Sequence, residues 1–178
     1  MHFASNGARM IYLAMDVYYH ETNNCAFAAG VRFTGVENVQ TLSTHGTWVN
    51  EVLAYQSGQF YKREMPCLLA LLKTINDPVD ILVIDGFVYL NQGKSGLGKH
   101  LYDNLTDKKP IIGIAKNPYQ DMDSCHQVFR GQSKKPLYVT TVDYSLENAK
   151  QWLKNLQGSY RLPDILTQVD KLSRKFSI

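Results

Sequence analysis

Ile11-Tyr-Leu-Ala-Met-Asp16-Val-Tyr-Tyr19 is an apolar and aromatic run broken by a single carboxylate. Residues of these types suit a pleated, half-buried surface, so Ile11 to Tyr18 is predicted to be a strand. A carboxylate in the middle of such a strand is costly to bury unless something compensates it. Two further runs of the same character follow, Ala26 to Phe33 and Val39 to Thr44. The connections between them are short and polar, with Asn23-Asn24 and Gly35, so the three strands are expected to form an antiparallel meander.

Beyond a Gly-, Ser- and Tyr-containing loop the period changes. Arg63 to Thr74 sets Leu68, Leu69, Leu71 and Leu72 on one helical stripe, and a helix is expected to begin just after Glu64 with Pro66 in its first turn. Ile81-Leu-Val-Ile84, ending at Asp85-Gly86, is continuously apolar, as expected of a strand covered on both faces. A helix over about 98–105 and a second such run, Ile111-Ile-Gly-Ile-Ala115, complete a strand–helix–strand crossover. Val128 to Arg130 and Leu137 to Thr141 are expected to form a hairpin. Ser145 to Leu156 is expected to be a helix with Ser145 as N-cap, and Pro163 to Lys175 a terminal helix. An antiparallel three-strand start followed by alternating helices and parallel strands is the order of a ribonuclease-H-like mixed α/β sheet with flanking helices. The order by itself suits several other α/β folds as well.

At 178 residues, 44% of them hydrophobic, the chain is long enough to bury a core without staples. One domain is expected over residues 10–178, after an irregular tail at 1–9. The longest apolar runs are too short to cross a bilayer, and no apolar targeting segment follows Met1, so a cytoplasmic protein with no membrane partner is expected. Cys25, Cys67 and Cys125 are odd in number and widely spaced, which argues against disulfides or a zinc site and for packing roles. A net charge of +3 is compatible with nucleic acid without requiring it. Lys108-Lys109, Lys134-Lys135 and Arg174-Lys175 are candidates to border a phosphate-binding surface, or simply solvated ends of elements.

The acids carry the chemistry. In a ribonuclease-H-like sheet the first and fourth strands lie side by side, which would let Asp16 and Asp85 share a cation, with Glu64 as a third oxygen ligand. Hard oxygen donors without Cys or clustered His favour Mg²⁺, with Mn²⁺ as substitute. Each acid also has a plainer role open to it: Glu64 at the positive end of a helix, Asp85-Gly86 in a turn, Asp16 paired with a lysine.

Met15-Asp-Val-Tyr-Tyr19, Tyr55-Gln-Ser-Gly-Gln-Phe-Tyr-Lys-Arg-Glu64-Met-Pro, Ile81-Leu-Val-Ile-Asp-Gly86, Gly98-Lys-His-Leu101, Ile112-Gly-Ile-Ala-Lys116 and Arg161-Leu-Pro163 together resemble the endonuclease V family, in order and in spacing. That resemblance implies a metal-dependent endonuclease, a monomer, that hydrolyses a phosphodiester 3′ to deoxyinosine or inosine in DNA or RNA. It implies Asp16, Glu64 and Asp85 as metal-binding acids, Asp170 as a fourth, and Lys116 as the catalytic lysine at the phosphate. It also implies Tyr55 and Gly58 in the wedge loop that separates the strands, and Gly86 and Asn91 at the extruded base.

The chain departs from the family pattern in two places. The wedge, commonly Pro-Tyr-x-Pro-Gly, is Ala54-Tyr-Gln-Ser-Gly58, without either proline. A second glycine and a histidine usual after Asp-Gly are Val88 and Asn91, and the Pro-Arg usual after that histidine is Gln92-Gly93. Val88 is therefore expected to bring a side chain against the base. Two alternatives follow: a nucleic-acid-binding protein of the same fold with weakened or redirected catalysis, and a structural α/β protein whose acids form only salt bridges.

Overall fold

The computed structural model describes residues 9–175, so nearly all of the expected N-terminal tail lies outside the described residues. Three long strands open the chain: β1 (Ile11–His20), β2 (Cys25–Thr34) and β3 (Gln40–Asn50). They pair in antiparallel order as a meander, each at least as long as the sequence pattern predicts. β3 runs six residues past Thr44, because its partner β2 supplies a ladder as far as Cys25, opposite Asn50.

Helix α1 spans Phe60–Leu72. It starts four residues before Glu64, not after it, and Pro66 lies in its interior rather than in its first turn. A proline there removes the bond to the carbonyl four residues back. That carbonyl belongs to Lys62 in the exposed first turn, where water can replace the lost donor. β4 (Ile81–Asp85), α2 (Leu97–Asn104) and β5 (Ile111–Ala115) follow, with β4 and β5 parallel. The short β6 (Gln127–Val128) and β7 (Leu137–Val142) form the expected hairpin. Helices α3 (Leu146–Asn155) and α4 (Asp164–Arg174) close the chain. Ser145 caps α3 as predicted, its side chain accepting from the Asn148 amide at 3.2 Å.

The seven strands form one mixed sheet in the order β3-β2-β1-β4-β5-β7-β6, the ribonuclease-H-like arrangement. Side chains alternate across it, and each set finds a layer of helices. Tyr12, Ala14, Val83 and Ile112 pack with Trp152, Leu153, Ile165 and Val169 of α3 and α4. Leu13, Met15, Leu82 and Ile84 pack with Cys67, Leu68 and Leu71 of α1 and Leu97 and Leu101 of α2. Among the described residues no helix is long and apolar enough to cross a membrane. Cys25 and Cys67 are buried as expected, but Cys125 is exposed, because it lies in a single 3₁₀ turn, Ser124–His126, that buries no residue. Lys108 donates to the Tyr102 and Asp103 carbonyls at the end of α2 and Lys109 pairs with Asp107, which suits the plainer of the two roles open to that pair.

Candidate active site

β1 and β4 run parallel, and their pairing stops at Met15 opposite Ile84. The next residue on each strand is an acid, Asp16 and Asp85. Both follow the alternation of Ala14 and Val83, so both belong to the α3–α4 side of the sheet, at the carboxyl end of β4 where α/β sheets bind ligands. Glu64 arrives from the opposite layer, in the second turn of α1, and is only 4% exposed. Asp16, Glu64 and Asp85 line one cavity of about 790 Å³. A small recess on the α4 side is lined by Asp16, Asp85, Lys116 and Asp170. Four acids from four elements, and the lysine that follows β5, thus gather around the ends of β1 and β4.

Each carboxylate engages a donor of its own. The Ser173 hydroxyl lies 2.9 Å from Asp16 Oδ2, to which it donates, and 2.7 Å from the Asp170 carbonyl. The Tyr19 hydroxyl donates to Glu64 Oε2 in a short bond. Lys116 Nζ stands 3.7 Å from Asp85 Oδ2, and Arg174 Nε donates to Asp170 Oδ1 at 3.1 Å. The lysine partner considered for Asp16 thus belongs to Asp85.

These donors do not offset the crowding of charge. Burial, and then the nearby Asp85, push Asp16 up to about 6 despite Ser173. Burial pushes Glu64 up to about 8, with the Tyr19 bond opposing and Asp16 and Asp85 adding to the rise. Asp85 is also raised by burial, against the pull of Lys116. Such a site has more buried negative charge than its own cations neutralise.

The donor set is oxygen alone, which suits a hard divalent cation. Among the described residues no three Asp, Glu, His or Cys side chains close into a ready-made metal cage. The carboxylates turn instead to Ser173, Tyr19, Lys116 and Arg174, and accommodating a cation requires some of them to let go. Raised carboxyl groups on a shared cavity are the signature of a site that a cation would relieve, so the residues present fit the group.

Lys116 follows directly on β5. Its carbonyl accepts a short bond from the Arg161 guanidinium, which also donates to the Pro136 carbonyl at 2.7 Å. Arg161 is itself held by Arg130, a residue only 5% exposed. The Arg130 guanidinium collects the carbonyls of Leu156, Gly158, Tyr160 and Arg161. Two arginines therefore tie the segment before α4 to the end of β5 and fix the backbone that carries Lys116. The sequence pattern singled out Arg161-Leu-Pro163 without giving the arginine a task.

Tyr55 stands 61% exposed at the mouth of the larger cavity, in the loop that leads to α1. Gly58 in that loop has φ +74, and Gly86 in the cavity wall has φ +142, backbone that only glycine adopts without strain. Asn91 lies apart from the acids, in a neighbouring cavity of about 720 Å³ that shares Leu90, Lys94 and Tyr119 with the first. Val88 departs from expectation. It is wholly buried, packed against Gly98 of α2, and its amide donates to Thr140 Oγ1, so its side chain fills the core and not the cavity. Tyr19, Tyr61 and His100 stand in segments that the sequence pattern singles out without giving them a task, and Ser173 is not singled out at all. The Tyr61 and His100 rings stack with centroids 3.6 Å apart in the cavity wall, joining α1 to α2, and no local pattern connects residues so far apart in the chain.

The sequence model of the family described as Endonuclease V matches residues 4–171. The endonuclease V of Streptomyces avermitilis is 30% identical over 186 residues, covering 90% of this chain and 78% of its own length. That of Xylella fastidiosa is 24% identical over 180 residues, covering 90% and 74%. The crystal structure of the Streptomyces avermitilis protein superimposes with a TM-score of 0.80 at 23% identity, over 94% of this chain and 81% of that one. The Ciona intestinalis endonuclease V, in complex with a 23mer DNA containing an inosine followed by a ribo-adenosine, gives 0.76 at 20% identity, over 94% and 85%. The match to the family takes in every strand of the sheet and all four acids of the site: the chain belongs to the endonuclease V family, whose members are endonucleases, hydrolases of phosphodiester bonds.

Proposed function

We propose that this chain is a Mg²⁺-dependent endonuclease that hydrolyses the phosphodiester 3′ to deoxyinosine or inosine in DNA or RNA, with Mn²⁺ able to replace Mg²⁺. One observation carries the reading: Asp16, Glu64 and Asp85, from three separate elements, line a single cavity in which burial lifts all three above the usual carboxylate range. Asp16, Glu64 and Asp85 would hold the cation, with Asp170 joining from α4. A bound divalent cation supplies Lewis acidity, making water easier to ionise and offsetting charge that builds on the phosphate.

The chain's own groups do the rest. Lys116, released from Asp85, offers its ammonium to the phosphoryl oxygens. Tyr19 and Ser173 hold Glu64 and Asp16 in fixed orientations by donating to one oxygen of each. Tyr55 offers a ring to replace base stacking lost when strands part, and Gly86 lets backbone approach a base in the cavity. The test is nicking of inosine-containing DNA and RNA, beside unmodified controls, with Mg²⁺ and with Mn²⁺. Cleavage next to inosine that disappears in Asp85→Ala is expected, and a folded protein that cuts neither substrate overturns the reading.

A second reading, a nucleic-acid-binding protein of the same fold with redirected or weakened catalysis, draws on the wedge without prolines and on Asn91 lying outside the acid-lined cavity. Binding of inosine-containing strands without turnover would favour it.

A further inference from the structure

The ladder β1–β2 continues past the acids, and on the face that carries Asp16 it bears aromatic rings that the proposed chemistry does not use. Tyr18 and His20 follow Asp16 at alternate positions, so each is about 7 Å beyond the last along one side of the strand. Tyr18 lies opposite Phe27, and Phe27 opposite Trp48, so the row crosses all three strands. Tyr18 and His20 meet edge to face at 5.0 Å, and His20 meets Trp48 at 5.2 Å. Phe27, itself buried, supports Trp48 at 5.0 Å. Its ring lies where a side chain at Gly46 would otherwise sit, so the support depends on that glycine. The His20 Nε2 is enclosed without a hydrogen-bond partner among the described residues, and the ring packs edge-on or tilted against Tyr18 and Trp48. Trp48 nevertheless remains 39% exposed, on a strand without an acidic or a basic residue other than His45.

The row joins the acidic site through one cation. The Arg174 guanidinium lies 4.9 Å above the Tyr18 ring while Nε donates to Asp170, and its side chain is 57% exposed. We propose that Tyr18, His20 and Trp48, with Arg174 at their head, form a track on which unpaired bases of the nucleic-acid strand stack as it passes from the acids toward the sheet edge. Fixed aromatic faces with a cation beside them match the alternation of base and phosphate in a single strand, and stacking of this kind tolerates any base sequence. The inference rests on the nuclease reading of the neighbouring site.

The chain has two tryptophans, and Trp152 is in the core, stacked on Tyr12. Trp152→Phe therefore leaves Trp48 as the sole tryptophan, which is excited selectively at wavelengths where tyrosine does not absorb. Titration of that variant with an end-labelled single-stranded oligonucleotide containing inosine, in EDTA to prevent turnover, is followed by both Trp emission and label anisotropy. Trp48 emission is expected to be quenched as anisotropy rises, and to be restored when an abasic residue replaces one particular nucleotide. Trp48→Ala is expected to weaken binding about 5- to 100-fold and raise KM with kcat kept, and Trp48→Phe to recover most of the loss. Rising anisotropy with unchanged Trp48 emission, or Trp48→Ala binding like the parent, overturns the track while leaving the nuclease reading intact. No anisotropy change with any oligonucleotide overturns the track, and the nicking assay with Mg²⁺ then decides the nuclease reading separately. Were Trp152→Phe to misfold, fluorotryptophan NMR of the unaltered sequence reads the same two outcomes from the Trp48 resonance.

Discussion

Asp16 and Glu64 show what the site asks of single residues. Both are lifted by burial, to about 6 and about 8, so the folded protein holds protons that the unfolded chain gives up near pH 4. Stability from the neutral forms is complete below that pH and is lost as pH rises through 6 and then 8. Stability from thermal melts in chelator should therefore fall between about pH 4 and 8, by about 1 to 3 kcal/mol, and Glu64→Gln should flatten the profile. A cation competes with the same protons, so Mn²⁺ affinity measured by calorimetry should rise over that window, with protons released to the buffer. Tyr19→Phe removes the donor to Glu64 without emptying space, and should weaken Mn²⁺ binding about 10- to 100-fold while the melting temperature changes little. Lys116→Ala is expected to lower kcat about 100- to 1,000-fold with KM nearly unchanged, since the role proposed for the ammonium is to offset charge that builds during attack.

Among the elements, β5 and the turn after β4 approach each other closely. A Cβ at Gly113 would lie 2.5 Å from the Gly86 carbonyl oxygen and 3.0 Å from the Val88 amide, backbone that cannot rotate away. Gly113→Ala should cost about 1 to 3 kcal/mol in a denaturant melt and, by pushing Asp85-Gly86 outward, remove more activity than that loss explains. The loop before α4 acts on β5 from its other end. Arg130 binds loop carbonyls, with Asp164 close enough to act on its charge, and Arg161 passes the constraint to Lys116. A kinetic signature separates this from mere stability: Arg161→Ala should lower kcat in protein that remains folded, and Arg161→Lys, which cannot reach both carbonyls at once, should recover little of it.

Across the whole molecule, the site exists because a parallel pair at the sheet centre ends where two layers of helices meet. α1 brings Glu64 from one layer, and α4 brings Asp170 and Ser173 from the other. A ligand that binds only this assembled arrangement stabilises the fold as a whole. Mn²⁺ at about 100 times its dissociation constant should thus add close to 2.7 kcal/mol to unfolding, and Asp85→Ala should abolish that gain.

Much of this was legible in the chain. Apolar runs of period two and stripes of period near four fix which segments are strands and helices, because burial on one face imposes those periods. An acid in the middle of a strand such as β1, or at the end of one such as β4, marks the site, because a carboxylate there needs a reason. The start of α1 was misplaced because Pro66 looks like a first-turn residue until the exposure of Lys62 is known. Val88 looked like a base contact because sequence gives its neighbours along the chain and not the Gly98 it fills against. Sequence alone thus determined the elements, the acids and the family, properties carried by local periodicity and residue chemistry. The partners of those acids, the arginines behind Lys116 and the aromatic row beyond Asp16 are contacts between distant segments, and only the tertiary structure, which chooses the face and register of each element, decided them.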